Sequence, residues 1–221
     1  MKFIPILFST PMVQAIIEGR KSMTRRVMKP QPYLEDGSTI WSYSKDSFGS
    51  LPPNKMTESP FGFKCPYGQV GDVLWVREKT CYVMIEHAHD LLVGFRERRQ
   101  IIYGTDFHED WMKYAKEKYL YKWEPSLFMP KAACRIFLKI TDIRVERLQD
   151  ITEQDAVGEG IEEAEFDNVN KCRVFKHYGY QNAVTDAKDS FQSLWHSING
   201  EESWNANPWV WVVEFKKVVK P

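Results

Sequence analysis

Apolar and polar positions divide this chain into short blocks of different period. Phe3-Ile4-Pro5-Ile6-Leu7-Phe8 is an apolar run of strand length. It leads into Ser9-Thr10-Pro11-Met12-Val13-Gln14-Ala15-Ile16-Ile17-Glu18-Gly19, where a hydroxyl at Thr10, proline at the first helical position and a closing glycine predict one compact helix with Thr10 as N-cap. From Val27 to Lys64 the pattern dissolves into Pro, Gly, Ser, Asn and Lys with scattered aromatics, the composition of a long surface loop or lid. Cys65 to Asp72 reads as a turn. The strand Val73 to Glu78 follows, with Val73, Trp75 and Arg77 alternating with Leu74, Val76 and Glu78. Between Thr80 and Pro130 the signal is weak: Ile101-Ile102-Tyr103 is an apolar burst, and Trp111 to Tyr114 suit the opening of a short helix.

Regular patterning returns at Cys134 to Arg147. Ile136, Leu138 and Ile140 share one face, then Ile143 and Val145 take over, which predicts a bulge at Thr141-Asp142 and a strand that curves into a barrel. Thr152-Glu153-Gln154-Asp155 fits a capping box with Thr152 as N-cap, opening a short helix that Gly160 ends, with Glu159 at its close. Ala187, Phe191, Leu194, Trp195 and Ile198 fall on one helical face, stopped by Asn199-Gly200. Trp209 to Phe215 is apolar on both faces, as a central strand requires. Strands and helices interspersed without internal repeats predict an α+β fold.

Composition narrows the class. With 221 residues, 43% of them hydrophobic, the chain can bury a core without disulfide staples, and one domain over 1–221 with insertions is expected. Lys and Arg together number 30, as do Asp and Glu, so any nucleic-acid contact must come from a local patch rather than from overall charge. No run approaches membrane-spanning length, and the apolar start lacks a secretory cleavage site. Cys65, Cys81, Cys134 and Cys172 are widely spaced and form no C-x-x-C pair, which fits a reducing cytoplasm and argues against a zinc ribbon or dithiol site. His87 and His89 share a strand face but have no ligand partners at metal-site spacing, so no metal is expected.

The densest chemistry lies at Gly19-Arg20-Lys21-Ser22-Met23-Thr24-Arg25-Arg26. A lysine three residues before a threonine on an irregular turn brings an amine within reach of a hydroxyl, and desolvation would let the amine act as general base. The hydroxyl then becomes a nucleophile. The plain alternative is a solvated basic cap on the first helix, where the dipole already favours cations. Glu159 is a carboxylate able to orient the lysine or to shuttle a proton.

At these residues the chain resembles the ASCH domains of the PUA-like superfamily, especially the long form often encoded by phages and prophages. The resemblance is carried by Glu18 to Arg26, by Gly71-Asp72-Val73-Leu74-Trp75-Val76, by Arg147-Leu148-Gln149-Asp150-Ile151-Thr152-Glu153 leading to Glu159-Gly160, and by Trp209 to Phe215. It implies a small mixed β-barrel flanked by helices, with a cleft beside the first helix that handles nucleosides or RNA. Family enzymes include amidohydrolases that remove the acyl group from N4-acetylcytidine and related N4-acylcytosines through a G-x-K-x-x-T-x-R turn and a later glutamate. Lys21, Thr24 and Arg26 match that turn, and Glu159 falls at the glutamate's place, with Glu153, Glu162 and Glu163 as alternatives. The insertions at about 27–64, 79–131 and 162–185 make this chain longer than the small amidohydrolases.

The resemblance thus implies Lys21, Thr24 and Glu159 as catalytic residues and Arg20, Arg25, Arg26, Tyr67 and Trp75 as substrate contacts, with no metal or cofactor. Arg26 or a backbone N–H would meet the oxyanion. Tyr67 or Trp75 would stack on the base, core packing being the other role for Trp75. The partner is a nucleoside or RNA, no membrane is involved, and a monomer is expected, in the host cytoplasm if the chain is phage-encoded. A non-catalytic RNA or modified-nucleotide module, or a ribonuclease, is the alternative function. Arg96-Glu97-Arg98-Arg99 and Lys113 to Lys122, with Tyr114, Tyr119 and Tyr121, have the mix of charge and rings that single strands use, or form a solvated charged face.

Overall fold

The computed structural model describes residues 1–34, 40–41, 50–51, 64–85, 98–103, 105, 123–164, 172–180 and 183–220. Its centre is a five-stranded mixed sheet. Phe3–Leu7 (β1) leads into the helix Thr10–Ile17 (α1), and Met23–Val27 (β2) follows. Short antiparallel strands Tyr33–Leu34 (β3), Ile40–Trp41 (β4) and Ser50–Leu51 (β5) form a separate sheet within the stretch expected to be a loop. Val73–Arg77 (β6) returns to the main sheet, Thr80–Ile85 (β7) and Arg98–Tyr103 (β8) pair as a hairpin, and Phe137–Arg147 (β9) is the long strand the pattern predicts. Glu153–Gly158 (α2) comes next, then the small pair Phe175–Lys176 (β10) and Ala183–Val184 (β11), the helices Ala187–Asn199 (α3) and Glu201–Asn205 (α4), and Trp209–Val218 (β12). The segments 111–114, 113–122 and His87 with His89 lie outside the described residues.

The sheet order is β1-β6-β9-β12-β2, with β1 parallel to β6 and the other neighbours antiparallel. Glu214 faces Asp142 while Phe215 faces Ile140, so Thr141 is the extra residue of a bulge where the change of period predicts one. Among the described residues no ladder joins β1 to β2. Four strand spacings would put the edges of a flat sheet about 19 Å apart. Arg26 Nη2 nevertheless donates to the Leu7 carbonyl at 2.7 Å, so the sheet curls until one side chain and α1 span its edges.

Both faces of the sheet are covered. Leu74 and Val76 join Leu138, Ile140, Val212 and the apolar side of α3 in the larger core, whereas Val73, Trp75 and Phe137 pack with Met129, Ala133 and Cys134 in a smaller one. β12 lies between β9 and β2 and is buried from Trp209 to Val213, as its two-faced hydrophobicity requires.

Three local expectations are corrected, and one helix is added. Ser9, not Thr10, is the N-cap of α1, because Ser9 is extended while its carbonyl already accepts from Val13 N. The basic run is an irregular turn only as far as Ser22; from Met23 it is a strand, because Arg25 finds buried carboxylates that let it enter a sheet. Ile198 is 61% exposed, so the buried face of α3 stops at Trp195. The short helix α4 has no apolar period of its own; it follows directly from the turn at Gly200 and is seated by buried Trp204. Cys65, Cys134 and Cys172 are free thiols, and burial pushes Cys65 up to about 11.

Candidate functional site

A cleft of about 530 Å³ opens between the start of α1, β2, the end of α2 and the C-terminal half of α3. That is within the ~300–1,000 Å³ usual for small-molecule sites. Lys21, Thr24, Arg25, Arg26, Tyr67 and Glu159 all line it, joined by Phe8 and Lys29. Six of the eight residues the sequence points to therefore meet around one space. Trp75 does not: it sits in the smaller core with Arg77 stacked at 4.7 Å over its ring, so the stacking role is corrected to packing. Arg20 lies outside the lining too, held by Glu18 and by the Gly160 carbonyl.

Two backbone reversals bring Lys21 and Glu159 together. Gly19 turns the chain out of α1 at φ +80°, and Gly160 ends α2 at φ +85°. Lys21 and Glu159 then face each other in an antiparallel bridge. A Cβ on Gly160 would lie 2.7 Å from Lys21 Cβ and 3.0 Å from Ala15 Cβ, so this position needs glycine for space as well as for φ. Gly160→Ala is expected to destabilise the protein by about 2–3 kcal/mol in urea unfolding and to displace Lys21; an unchanged midpoint would show that the close approach is not required.

Lys21 Nζ donates to Glu159 Oε2 and to the Glu159 carbonyl, each at 2.7 Å, with both side chains almost fully buried. The carbonyl is one that the end of α2 leaves without a helical partner. The cations of the basic run thus cap α2 rather than α1, Arg20 serving the adjacent carbonyl of Gly160. Burial holds the Lys21 amine below its ordinary value of 10.5, with the Glu159 charge opposing the shift.

Arg25 has a different position from the expected substrate contact. Its side chain has no exposure; Nη2 reaches Asp155 at 2.6 Å and Glu146 at 3.0 Å, and Nη1 reaches Glu159 at 3.4 Å. Arg144 on β9 ties Glu146, Asp155 and Glu214 into the same array. Arg25 therefore fixes Glu159 from behind, a positioning role that spends its charge within the protein. Glu146 and Asp155 were invisible in the sequence as site residues; the only signal was Asp155 in the capping box, where it accepts Arg25 while its N–H is bound by Thr152.

Thr24 pairs with Val213 of β12 and is buried to 4% exposure, yet its hydroxyl makes no hydrogen bond among the described residues. The expected Lys21–Thr24 hydrogen bond is not formed, because the amine is committed to Glu159. Two of its three donors are used, which leaves one for a ligand or for Thr24. Arg26 lies 5.3 Å from the centre of the Phe8 ring, which also sits 5.7 Å from Lys21 Nζ. Phe191, Leu194 and Trp195 of α3 complete an apolar wall. Their helical spacing marks them as inward-facing but cannot distinguish a cleft wall from a core. Among the described residues no group of three or more His, Cys, Asp or Glu is arranged to hold a metal ion, and no helix is long and apolar enough to cross a membrane.

Comparison of the chain with protein-family models, with curated proteins and with solved structures finds no match.

Proposed function

We propose that this protein is an ASCH-type, PUA-like amidohydrolase that removes the acyl group from N4-acylated cytidine without a metal ion. The observation that carries this reading is the Lys21–Glu159 contact. Two residues 138 positions apart, paired by the family resemblance, meet at 2.7 Å on the wall of a nucleoside-sized cleft that Thr24 also lines. The curled mixed sheet and the bulge in β9 support the barrel-like architecture that the resemblance implies.

Lys21 Nζ and Glu159 Oε2 share a hydrogen bond along which a proton can pass. As the substrate displaces water, the ion pair becomes a neutral amine beside a carboxylic acid. Thr24 Oγ1 adds to the acyl carbonyl and gives its proton to Lys21; the C–N bond breaks as Glu159 passes its proton to the departing N4 amine. This leaves an ester on Thr24, an ammonium and a carboxylate. Water then adds to the ester, losing a proton to Glu159, and Thr24 departs with the proton from Lys21. One water is consumed, the acid and cytidine are released, and the starting pair is restored.

The test is release of cytidine from N4-acetylcytidine by the purified protein in excess chelator, alongside Lys21→Ala. Turnover is expected in the first and a loss of about 10²–10⁴-fold in the second. Activity destroyed by chelator, or kept by Lys21→Ala, contradicts the scheme. The pH profile of kcat/KM is expected to fall on the alkaline side, where Lys21 loses the proton that the scheme passes on to the departing amine. Because burial lowers Lys21, the alkaline limb should fall below pH 10.5; a profile level up to that pH would contradict this role of Lys21.

A further inference from the structure

We infer that the cleft holds a phosphate monoester beside the base, so that its ligand is a nucleoside monophosphate rather than a free nucleoside or a polynucleotide. Among the described residues five charged ones line the cleft: Lys21, Arg25, Arg26, Lys29 and Glu159. Lys21 and Arg25 both bind Glu159, the only carboxylate of the lining among the described residues, and Arg25 is further neutralised by Glu146 and Asp155. Arg26 and Lys29 have no ion pair among the described residues. Among the described residues, a chain with no formal net charge thus leaves two cations of its cleft without a carboxylate.

Arg26 is held in place without being used up. Its Nη2 is anchored on the Leu7 carbonyl, its guanidinium lies over Phe8, and its Nε is buried without a hydrogen-bond partner. A buried guanidinium N–H with no acceptor costs free energy unless a ligand supplies one. Lys29 is exposed, as a residue that closes on an anion from the rim must be. The start of α1 borders the same space through Ser9 and Met12. That helix has no side-chain cap and no acidic residue in its first turn, so its unpaired N–H groups add positive potential at that wall. A guanidinium edge, a flexible ammonium and a helix N-terminus form a receptor for a compact dianion, and the carboxylate of Glu159 is kept from repelling it by its own two cations.

The inference rests on the deacylase reading for the identity of the base, but not for the phosphate, and the test separates the two. Calorimetric titration with CMP and with cytidine, the product forms with and without phosphate, is expected to show CMP bound about tenfold or more tightly at low salt. The advantage should shrink as salt rises and disappear in Lys29→Ala, whose exposed side chain can be removed without disturbing the fold. Hydrolysis of N4-acetyl-CMP should exceed that of N4-acetylcytidine in kcat/KM by a similar factor. Equal binding of CMP and cytidine, or no binding of either, overturns the subsite, whatever the hydrolysis assay gives. A CMP preference without hydrolysis of either acyl compound keeps the subsite and removes the deacylase. Tighter binding of a short oligocytidylate than of CMP overturns the monoester in favour of RNA phosphodiesters. In Arg26→Gln, equal losses on N4-acetylcytidine and N4-acetyl-CMP would return Arg26 to the oxyanion and remove it from the subsite.

Discussion

Thr24→Ala should lower kcat on N4-acetylcytidine by about 10⁴-fold or more, because in the proposed scheme it removes the atom that carries the acyl group rather than one that assists it. The fold should survive. Thr24 gives no side-chain hydrogen bond among the described residues, and alanine keeps the backbone pairing with Val213, so the stability change is about 1 kcal/mol or less, read as the midpoint of urea unfolding. Thr24→Ser keeps the hydroxyl and should retain measurable turnover. Mass spectrometry of the protein quenched during turnover is the direct check, with one acyl group expected on wild type and none on Thr24→Ala. An alanine variant that still releases cytidine would end the covalent scheme and leave Lys21 and Glu159 to activate water directly.

Arg25→Leu should be the most destabilising single change at the site. The guanidinium is completely buried and meets three carboxylates, Asp155 at 2.6 Å, Glu146 at 3.0 Å and Glu159 at 3.4 Å. Removing one partner of a buried ionic group costs about 3–5 kcal/mol, most of it from the charges left behind. Here three carboxylates would remain, with Arg144 reaching two of them. Denaturant unfolding is expected to show the loss as a lower midpoint. Combining Arg25→Leu with Asp155→Asn should restore part of it, since one stranded charge is then gone; a double variant no more stable than the single one would mean that packing, not charge, sets the cost.

How much of this was legible in the sequence depends on the range of the interaction. Thr152 capping Asp155 N, the left-handed stops at Gly160 and Gly200, the inward face of α3 up to Trp195 and the two-faced apolar strand β12 are all set within a few residues, and each was read correctly. The bulge at Thr141 was legible for the same reason, since it breaks a period of two. β2 was not, because Met23-Thr24-Arg25-Arg26-Val27 carries charge where a buried strand carries none, and its solvation comes from Glu146, Asp155 and Glu159, more than a hundred residues away. The Lys21–Glu159 pair was named through family resemblance, and spacing alone could not have chosen Glu159 over Glu153, Glu162 or Glu163. Of these, Glu162 and Glu163 ion-pair with Lys176 and Arg173 away from the cleft. Of the two roles open to Trp75, stacking on the base and core packing, the structure has the second, and alternation along β6 identifies two faces but not which of two cores each one meets.

The order of strands in the sheet has a consequence for when the site can exist. Among the described residues β2, which carries Thr24 and Arg25, joins the sheet through β12 alone. Of the described strands β12 is the last to be synthesised, so on the ribosome β2 emerges early and has no ladder to join until that final strand arrives. Contacts that span most of a chain form late and are lost together. The Lys21–Glu159–Thr24 arrangement should therefore be absent from a nascent chain that already contains all three residues. On the proposed deacylase reading, activity would come only after the polypeptide has closed on itself, and truncations just short of Trp209 would carry Lys21, Thr24 and Glu159 without the arrangement that joins them.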